Sequence, residues 1–233
     1  LGAMRFNSDS QKLEYWNGQI WMQIHTFNPD LNGGARGLIG GGYYGAAINN
    51  IQYITITTAG NSIDFGDRTI VGTGGAFSSA TRGVMGGAWA PTYVNTVDYI
   101  TMSSTGDAID FGDKTTGDAR MGGISNSTRG CFAGGFHAPA ADNHIEFCTI
   151  ATTGNFVDFG DLTTNKENPS GNINSPTRGF WAGGDQAGDG TESPSIDRIT
   201  IATTGNATSI GDLATCSTGG AGTVNTGGGG GGN

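Results

Sequence analysis

Carboxylate side chains recur at fixed spacing along this chain and are its first candidates for chemistry. Asp-Phe-Gly occurs at Asp64, Asp110 and Asp158. That triplet binds magnesium in protein kinases, but only beside a catalytic loop and a glycine-rich loop over ATP, and the sequence has neither. Asp67 follows Asp64 at three residues, and such a pair could supply oxygen ligands to calcium. Because the pairs recur once per repeat, and Ser209 replaces the first Asp in the fourth copy, we favour a structural role. In that role the aspartates cap a turn and pair with a recurring Arg.

Histidine and cysteine offer little catalytic chemistry here. His137 and His144 flank one loop, but two histidines are too few for a zinc site. Cys131 and Cys148 are predicted to face each other across a hairpin where other repeats hold apolar pairs. We expect buried thiols that act as small apolar side chains, with a cross-strand disulfide as the alternative. No Ser–His–Asp or Cys–His arrangement emerges, so we predict no enzyme, metal or cofactor. The alternative is a glycosidase, which would need two carboxylates ~5–9.5 Å apart near the axis of the fold.

Composition excludes several classes of partner. The net charge is −9, whereas nucleic-acid binding needs clustered Lys and Arg. No apolar run approaches the ~20 residues of a membrane-spanning helix, so we expect no membrane insertion. The chain contains 44 glycines among 233 residues, and their regular spacing indicates repeated turns and close backbone approaches. It begins at Leu1 rather than at Met, without a signal segment, which predicts a piece of a longer or processed chain.

An internal repeat organises these residues. Arg-Gly begins at Arg36, Arg82, Arg129 and Arg178, at intervals of 46, 47 and 49 residues. Gly-Asp begins at Gly66, Gly112, Gly160 and Gly211, at intervals of 46, 48 and 51 residues. A unit of this length with several short β-rich runs is typical of one blade of a β-propeller.

Each unit is predicted to contain four antiparallel strands, which we label a to d. In the second unit they fall at 72–79, 84–87, 97–102 and 108–111. A turn containing Gly106 joins strands c and d, because glycine readily adopts the positive φ that a tight turn needs. Strand c is nearly continuously apolar, as expected where both faces of a sheet are covered.

The two ends of the chain are each predicted to be half a repeat. Residues 4–15 align without gaps to 100–111, the c and d strands, and the C-terminal end aligns with strands a and b. The sequence therefore predicts an all-β, five-bladed β-propeller closed by pairing of the N-terminal c–d strands with the C-terminal a–b strands. The predicted units are a half blade at 1–18, whole blades at 19–67, 68–113, 114–161 and 162–212, and a half blade at 213–233.

The repeat resembles the kelch repeat over nearly the whole chain. The shared order is a Gly-Gly pair, a long loop, Val/Ile-x-Tyr, a turn and apolar-Asp-Phe, followed by Arg and a Gly-rich strand. It departs from kelch in strand d, where Phe65, Phe111 and Phe159 replace the regular Trp.

A second resemblance concerns the start of the chain and the short sequence motifs of the repeats. Residues 2–10 and 12–18, with Trp21, are similar to a segment of tailed-phage fibre and virion proteins. Thr-Arg-Gly, Tyr-Ile-Thr-Ile, Thr-Thr-Gly-Asn and Asp-Phe-Gly-Asp resemble repeats in fibre-like proteins of marine and cyanobacterial phages. The resemblance implies a virion component, namely a tail fibre or adhesin, with other virion subunits as partners.

The b–c loops are the expected binding surface. They vary while the strands repeat, and loops that emerge together from a rigid scaffold commonly carry binding sites. Exposed aromatic side chains in them offer contact area to a host-surface glycan or protein. The alternatives are aromatics that fold back on the blade and a purely structural spacer or decoration domain. The candidate ligand-binding residues are Tyr43, Tyr44, Trp89, Tyr93, Phe136 and His137.

Overall fold

The chain is all-β and antiparallel. The computed structural model describes residues 2–7, 12–23, 36–72, 74–89, 91–169, 171–186 and 191–215, and these form twenty strands and no α-helix. No helix in this described part is long and apolar enough to cross a membrane. The chain divides into two compact units, Leu1–Leu31 and Asn32–Asn233.

The first unit contains one three-stranded sheet with two unlike faces. Its strands are β1 (Met4–Asn7), β2 (Lys12–Trp16) and β3 (Trp21–Gln23), in the order β1-β2-β3. On the polar face Arg5 Nε lies 2.9 Å from Glu14 Oε2 and its guanidinium stacks 4.2 Å from the Trp21 ring. Cross-strand register places exposed apolar side chains together on the opposite face, at Met4, Phe6, Leu13, Tyr15 and Met22.

The second unit contains four consecutive sheets, one per repeat, which we call sheets I to IV. In sheets II, III and IV the observed order is a-b-c-d, as the repeat predicts. Sheet I shows strands b, c and d, and its strand a is predicted within 24–35, outside the described residues. Sheet I contains β4 (Arg36–Tyr43), β5 (Ala47–Thr55) and β6 (Ile63–Asp67), and sheet II contains β7 (Gly75–Ser78), β8 (Arg82–Trp89), β9 (Tyr93–Thr101) and β10 (Ile109–Asp113). Sheet III contains β11 (Gly122–Ser125), β12 (Arg129–Ala133), β15 (His144–Thr149) and β16 (Val157–Asp161), with the short ladder β13 (Phe136–His137) and β14 (Ala140–Ala141) in its b–c connection. Sheet IV contains β17 (Gly171–Asn174), β18 (Arg178–Ala182), β19 (Ser195–Thr200) and β20 (Thr208–Asp212).

The N-terminal hairpin differs in register from the c–d hairpins with which its sequence aligns. Met4 pairs with Tyr15 in the N-terminal sheet. In sheet II, Tyr99 pairs with Ile109, and a bulge follows. The gapless sequence alignment of 4–15 with 100–111 therefore does not carry over to strand pairing, because the N-terminal hairpin has a shorter connection and no bulge. The C-terminal half repeat lies mainly outside the described residues.

Apolar clusters join each sheet to the next. Between sheets II and III, the rings of Phe77 and Phe132 lie 4.8 Å apart, and Phe132 stacks on Phe156 at 5.3 Å. Equivalent clusters join sheets I and II and sheets III and IV. The inner strands also meet, since β7 packs on β11 and β11 on β17. Both faces of the middle sheets are thus covered, which explains the continuous apolar runs in strand c.

A repeated hydrogen-bonded junction adds to this packing. Strand d of each sheet is met by the c–d turn of the next sheet. Gly106 N–H donates to the carbonyl of Phe65 (2.7 Å), and Ala108 N–H donates to that of Asp67 (2.8 Å). Asp67 N–H donates in turn to Asp107 Oδ1 (3.0 Å). The same three bonds join sheets II and III through Phe111, Asp113 and residues 154–156, and sheets III and IV through Phe159, Asp161 and residues 205–207.

The predicted pairing of the repeated Asp with the repeated Arg is wrong. Arg82 Nη1 instead donates to the carbonyl of Ile150 in the next sheet (2.9 Å), and its guanidinium lies 4.5 Å from the Tyr99 ring centre. Arg36 and Arg129 make the equivalent contacts. A buried carbonyl and an aromatic face satisfy the guanidinium together, so the aspartates remain available for the junction.

The two cysteines do not face each other. Cys131 pairs with Phe147, whereas Cys148 pairs with Gly130. Because neighbouring residues on a strand point to opposite faces, the thiols enter different clusters, Cys131 towards sheet IV and Cys148 towards sheet II. Both are free and buried. The expectation of small apolar side chains is confirmed, and the disulfide alternative is wrong.

We expect both thiols to be unreactive in the folded protein. Burial raises the pKa of Cys131 and of Cys148 to about 12, so the reactive thiolate is scarce at pH 8. Iodoacetamide at pH 8, followed by peptide mass spectrometry, should label these two positions in denaturant and leave them unmodified in buffer. Labelling of either at the rate of a free thiol under native conditions would contradict the assigned burial.

Candidate functional site

The end of strand b carries an aromatic side chain in three of the four repeats. Tyr43, Trp89 and Phe136 each stand seven residues after the Arg of Arg-Gly, and Asp185 occupies this position in the fourth repeat. The structure places these residues where the b–c connection begins. Tyr43 is 68% exposed and Trp89 is 48% exposed. The equivalent positions therefore present aromatic surface rather than fold back on the sheet.

Four of the six candidate residues come together where sheets II and III adjoin. Trp89 lies directly across its hairpin from Tyr93. The Tyr93 ring lies 5.3 Å from the His137 ring and 5.9 Å from the Phe136 ring, edge to face. We call Trp89, Tyr93, Phe136 and His137 the aromatic patch. Tyr44 and Tyr43 extend from the separate hairpin of sheet I and make no ring contact with the patch within the described residues.

A backbone contact orients the His137 ring. His137 Nδ1 hydrogen-bonds to the carbonyl of Gly117 in the d–a connection. A carbonyl only accepts, so Nδ1 carries the proton, and in the neutral ring Nε2 is left as an acceptor. His137 is exposed, which makes Nε2 accessible to a ligand hydroxyl. The patch therefore combines aromatic faces with a directed polar atom.

Arg120 adds a cation beside the patch. Its guanidinium lies 5.5 Å from the Phe136 ring centre, and Nη1 lies 3.0 Å from Glu167 Oε2. The backbone of Arg120 has φ = 62°, an uncommon left-handed conformation for an arginine. Asn168 shows a similar conformation at φ = 47°, and its N–H donates to the Arg120 carbonyl (2.8 Å). Cross-sheet hydrogen bonding thus holds the strained turn that presents Arg120.

A buried ion network supports the loop below the patch. Lys114 Nζ contacts Asp118 Oδ2 at 2.8 Å and also binds Glu146 of strand c. Glu146 Oε2 accepts from the backbone N–H of Thr115 (2.8 Å) and from its hydroxyl (2.9 Å). Burial raises the pKa of Asp118 above its usual value, and the nearby Lys114 ammonium opposes that rise. These contacts fasten residues 114–118 and so position the Gly117 carbonyl that holds His137.

The same device recurs in sheets II and IV, and sequence reasoning missed it. Asp98, Glu146 and Asp197 occupy one position in strand c and are fully or almost fully buried. Each binds a cation from the preceding d–a connection, and each accepts a hydrogen bond from a Thr hydroxyl of that connection. The cations are Arg68, Lys114 and Lys166, and the threonines are Thr69, Thr115 and Thr163. A usable signal was present in the sequence. Gly-Asp-x-Thr at the end of strand d is followed by an acidic residue within strand c of the next repeat.

One hydroxyl–imidazole–carboxylate series occurs, but the direction of its hydrogen bonds does not activate the hydroxyl as a nucleophile. Thr115 Oγ1 lies 3.1 Å from His144 Nε2, and His144 Nδ1 lies 3.6 Å from Asp158 Oδ1. The Thr115 hydroxyl donates its single proton to Glu146. His144 Nε2 must then donate to Thr115 rather than accept from it. We assign this series a structural role in the d–a connection.

In sheets I to III the second aspartate of each strand-d pair serves the sheet junction, through its backbone groups rather than its carboxylate. Asp64 and Asp110 are exposed on the outer strand, whereas the backbone groups of Asp67 and Asp113 bond the next turn. Within the described ranges, no group of three or more His, Cys, Asp or Glu side chains could hold a metal ion.

Comparisons with known proteins bear on the fold. No family model and no curated protein matches the chain. Among solved structures, the chain is similar to one described as the structure of YjhT, with a TM-score of 0.63 and 8% sequence identity, over 79% of this chain. The chain spans 64% of that structure's length. This likeness supports an all-β, β-propeller-like fold built of small antiparallel sheets.

Proposed function

We propose that the chain is a binding module whose aromatic patch recognises a surface glycan. The observation that carries the proposal is the convergence of Trp89, Tyr93, Phe136 and His137 from two adjacent sheets, with Trp89 and His137 exposed and Tyr93 and Phe136 half-buried beside them. Each residue follows from a position in its own repeat, yet the contact exists only because sheets II and III pack side by side.

The chemistry of the patch suits a sugar. Aromatic side chains offer apolar area together with a polar edge. Around the patch, His137 Nε2 can accept from a hydroxyl, and Arg120 can donate to an oxygen. Few directed polar groups around an apolar surface are the usual composition of a small-molecule site. Glu167 already pairs with Arg120, so the patch does not require an anionic sugar.

The setting of the module rests on sequence resemblance. The segment at 2–18 and the sequence motifs of the repeats support the assignment as a phage virion fibre or adhesin, located on the particle beside other virion subunits. The repeat spacing also supports a five-bladed ring in which 1–18 and 213–233 form the fifth blade. The alternative is that the two ends of the row of sheets pair with those of a second copy of the chain.

A glycan array probed with the full chain tests the proposal. Trp89→Ala should weaken binding to a positive glycan roughly tenfold to a hundredfold, because its half-exposed indole is the largest aromatic ring of the patch. His137→Ala should weaken it less, because the ring loses one hydrogen bond and its contact with Tyr93. Titration calorimetry with the soluble glycan would give the affinities.

Tyr43→Ala is the matched control, since Tyr43 holds the position equivalent to Trp89 in the neighbouring repeat. It should leave the affinity unchanged. Protease-sensitive binding to host cells without any glycan binding would contradict the glycan and indicate a host protein. A folded chain that binds neither cells nor glycans would indicate a structural spacer or decoration domain.

A further inference from the structure

Each junction between sheets has two halves with different chemistry. One half is strand d, which offers two backbone carbonyls and one N–H. The other half is the following c–d turn, whose Gly N–H, Asp or Asn side chain and next N–H satisfy those groups. Three such junctions occur in the described chain. Within the part of the chain that the structure describes, four sheets in a row therefore leave one half without its partner at each end of the row.

The edge half is unused on sheet IV. Ile210, Gly211 and Asp212 of β20 correspond to Phe65, Gly66 and Asp67 of β6 by their place in the repeat. Ile210 is 47% exposed, whereas Phe65 is 2% exposed. A Cβ placed on Gly66 would lie 2.4 Å from the backbone of Gly106, but one placed on Gly211 would meet nothing within 4 Å.

The turn half is unused on sheet I. Gly60, Asn61 and Ser62 stand in the repeat where Gly106, Asp107 and Ala108 stand in sheet II. Within the described residues, neither Gly60 N–H nor the Asn61 side chain makes the junction bonds of its counterparts.

The apolar face of sheet I and the repeated Arg of sheet IV also fit a junction half without its partner at each end. Ile54 and Ile56 of sheet I are 39% and 66% exposed, while their counterparts Ile100 and Met102 are buried against sheet I. Arg178 makes no bond to a following sheet within the described residues, unlike Arg129, which donates to the carbonyl of Ile201. Its equivalent acceptor would be the carbonyl of Ile56.

The N-terminal hairpin is a poor substitute for either half. Its pairing of Met4 with Tyr15 has a different register from the c–d hairpins and lacks the bulge between Asp110 and Gly112 in sheet II. Strand d presents its junction groups at that bulge, on Phe111 and Asp113.

We propose that the two ends bind each other between copies of the chain: the β20 edge of one copy receives the Gly60–Ser62 turn and the Ile54–Ile56 face of a second copy. The interface uses the same kinds of groups as the three junctions inside the chain, namely strand-d backbone groups of one copy and the N–H and side chain of the Gly60–Asn61 turn of the other. Because it joins unlike surfaces, it is head-to-tail and extends until the assembly closes or forms an open chain.

Sedimentation velocity of the full chain over a range of concentrations tests the proposal. The wild type should form concentration-dependent species larger than one chain. Ile210→Asp and Ile54→Asp should each weaken association about tenfold or more, because each removes an apolar contact and buries a charge. Mixing the two variants should restore dimers but nothing larger, since each still has one intact half.

Val157→Asp is the matched control. Val157 of β16 stays 56% exposed although sheet III has neighbouring sheets on both sides, so this variant should assemble like the wild type. A wild type that stays monomeric at every concentration would overturn the proposal and favour ring closure by the chain's own ends. Failure of the mixture to restore dimers, or association unaffected by both variants, would also overturn it. Glycan binding by a monomeric variant would still support the proposed function, so the two proposals fail independently.

Discussion

Asp98→Ala is expected to lower the free energy of unfolding by about 3 to 5 kcal/mol. Asp98 is fully buried and accepts from Arg68 Nε at 3.0 Å and from the Thr69 hydroxyl. The Arg68 side chain is itself only 1% exposed, and burial lowers the pKa of its guanidinium while Asp98 opposes that shift. Without the carboxylate, a buried positive charge would lack its counter-ion. Urea unfolding followed by tryptophan fluorescence would measure the loss.

Two further variants separate the ion pair from general damage. Asp110→Ala removes the carboxylate that pairs with Asp98 in cross-strand register but is exposed. It should change stability by less than about 0.5 kcal/mol. The double variant Arg68→Met with Asp98→Leu should recover most of the loss, because no unpaired charge remains. If Asp98→Ala were as stable as Asp110→Ala, the buried pair would have no role in stability.

Gly130→Ala is expected to destabilise the fold by about 1 to 3 kcal/mol through overpacking. Gly130 belongs to the Arg-Gly motif of sheet III, and a Cβ there would lie 2.0 Å from Cε2 of Phe77. The Phe77 ring is held by Phe132 and Phe156, so it has little room to move. Thermal unfolding by circular dichroism would show the effect as a lower Tm.

Gly83→Ala is a control at the same motif position in sheet II. Its Cβ would lie 3.2 Å from the Cδ1 atoms of Ile100 and Leu38, which are flexible side-chain ends. A smaller loss of stability is therefore expected than for Gly130→Ala. Adding Phe77→Leu to Gly130→Ala should restore part of the loss. Equal costs for the two glycine variants would show that backbone freedom, rather than the neighbouring ring, explains the Gly of this motif.

Sequence reasoning worked where a property belongs to one repeat. The interval between Arg-Gly motifs, the β-branched run of strand c and the Gly-containing turn predicted the strands and their order in sheets II, III and IV. It also placed Tyr43, Tyr44, Trp89, Tyr93, Phe136 and His137 in the b–c connections. Such features follow from local propensity and from the period of the chain, which are written in short stretches of sequence.

Only the tertiary structure decided which side chains meet. The aromatic patch needs two sheets side by side, and the Lys114–Glu146 pair joins residues 32 positions apart. Strand register pairs Cys148 with Gly130, the neighbour of Cys131, and so the two thiols lie on opposite faces of the sheet. The recurring Arg likewise found a carbonyl of the next sheet rather than an aspartate. These outcomes depend on register and on packing between distant segments, where a shift of one residue reverses the face of every side chain, and a repeat period alone does not specify that register.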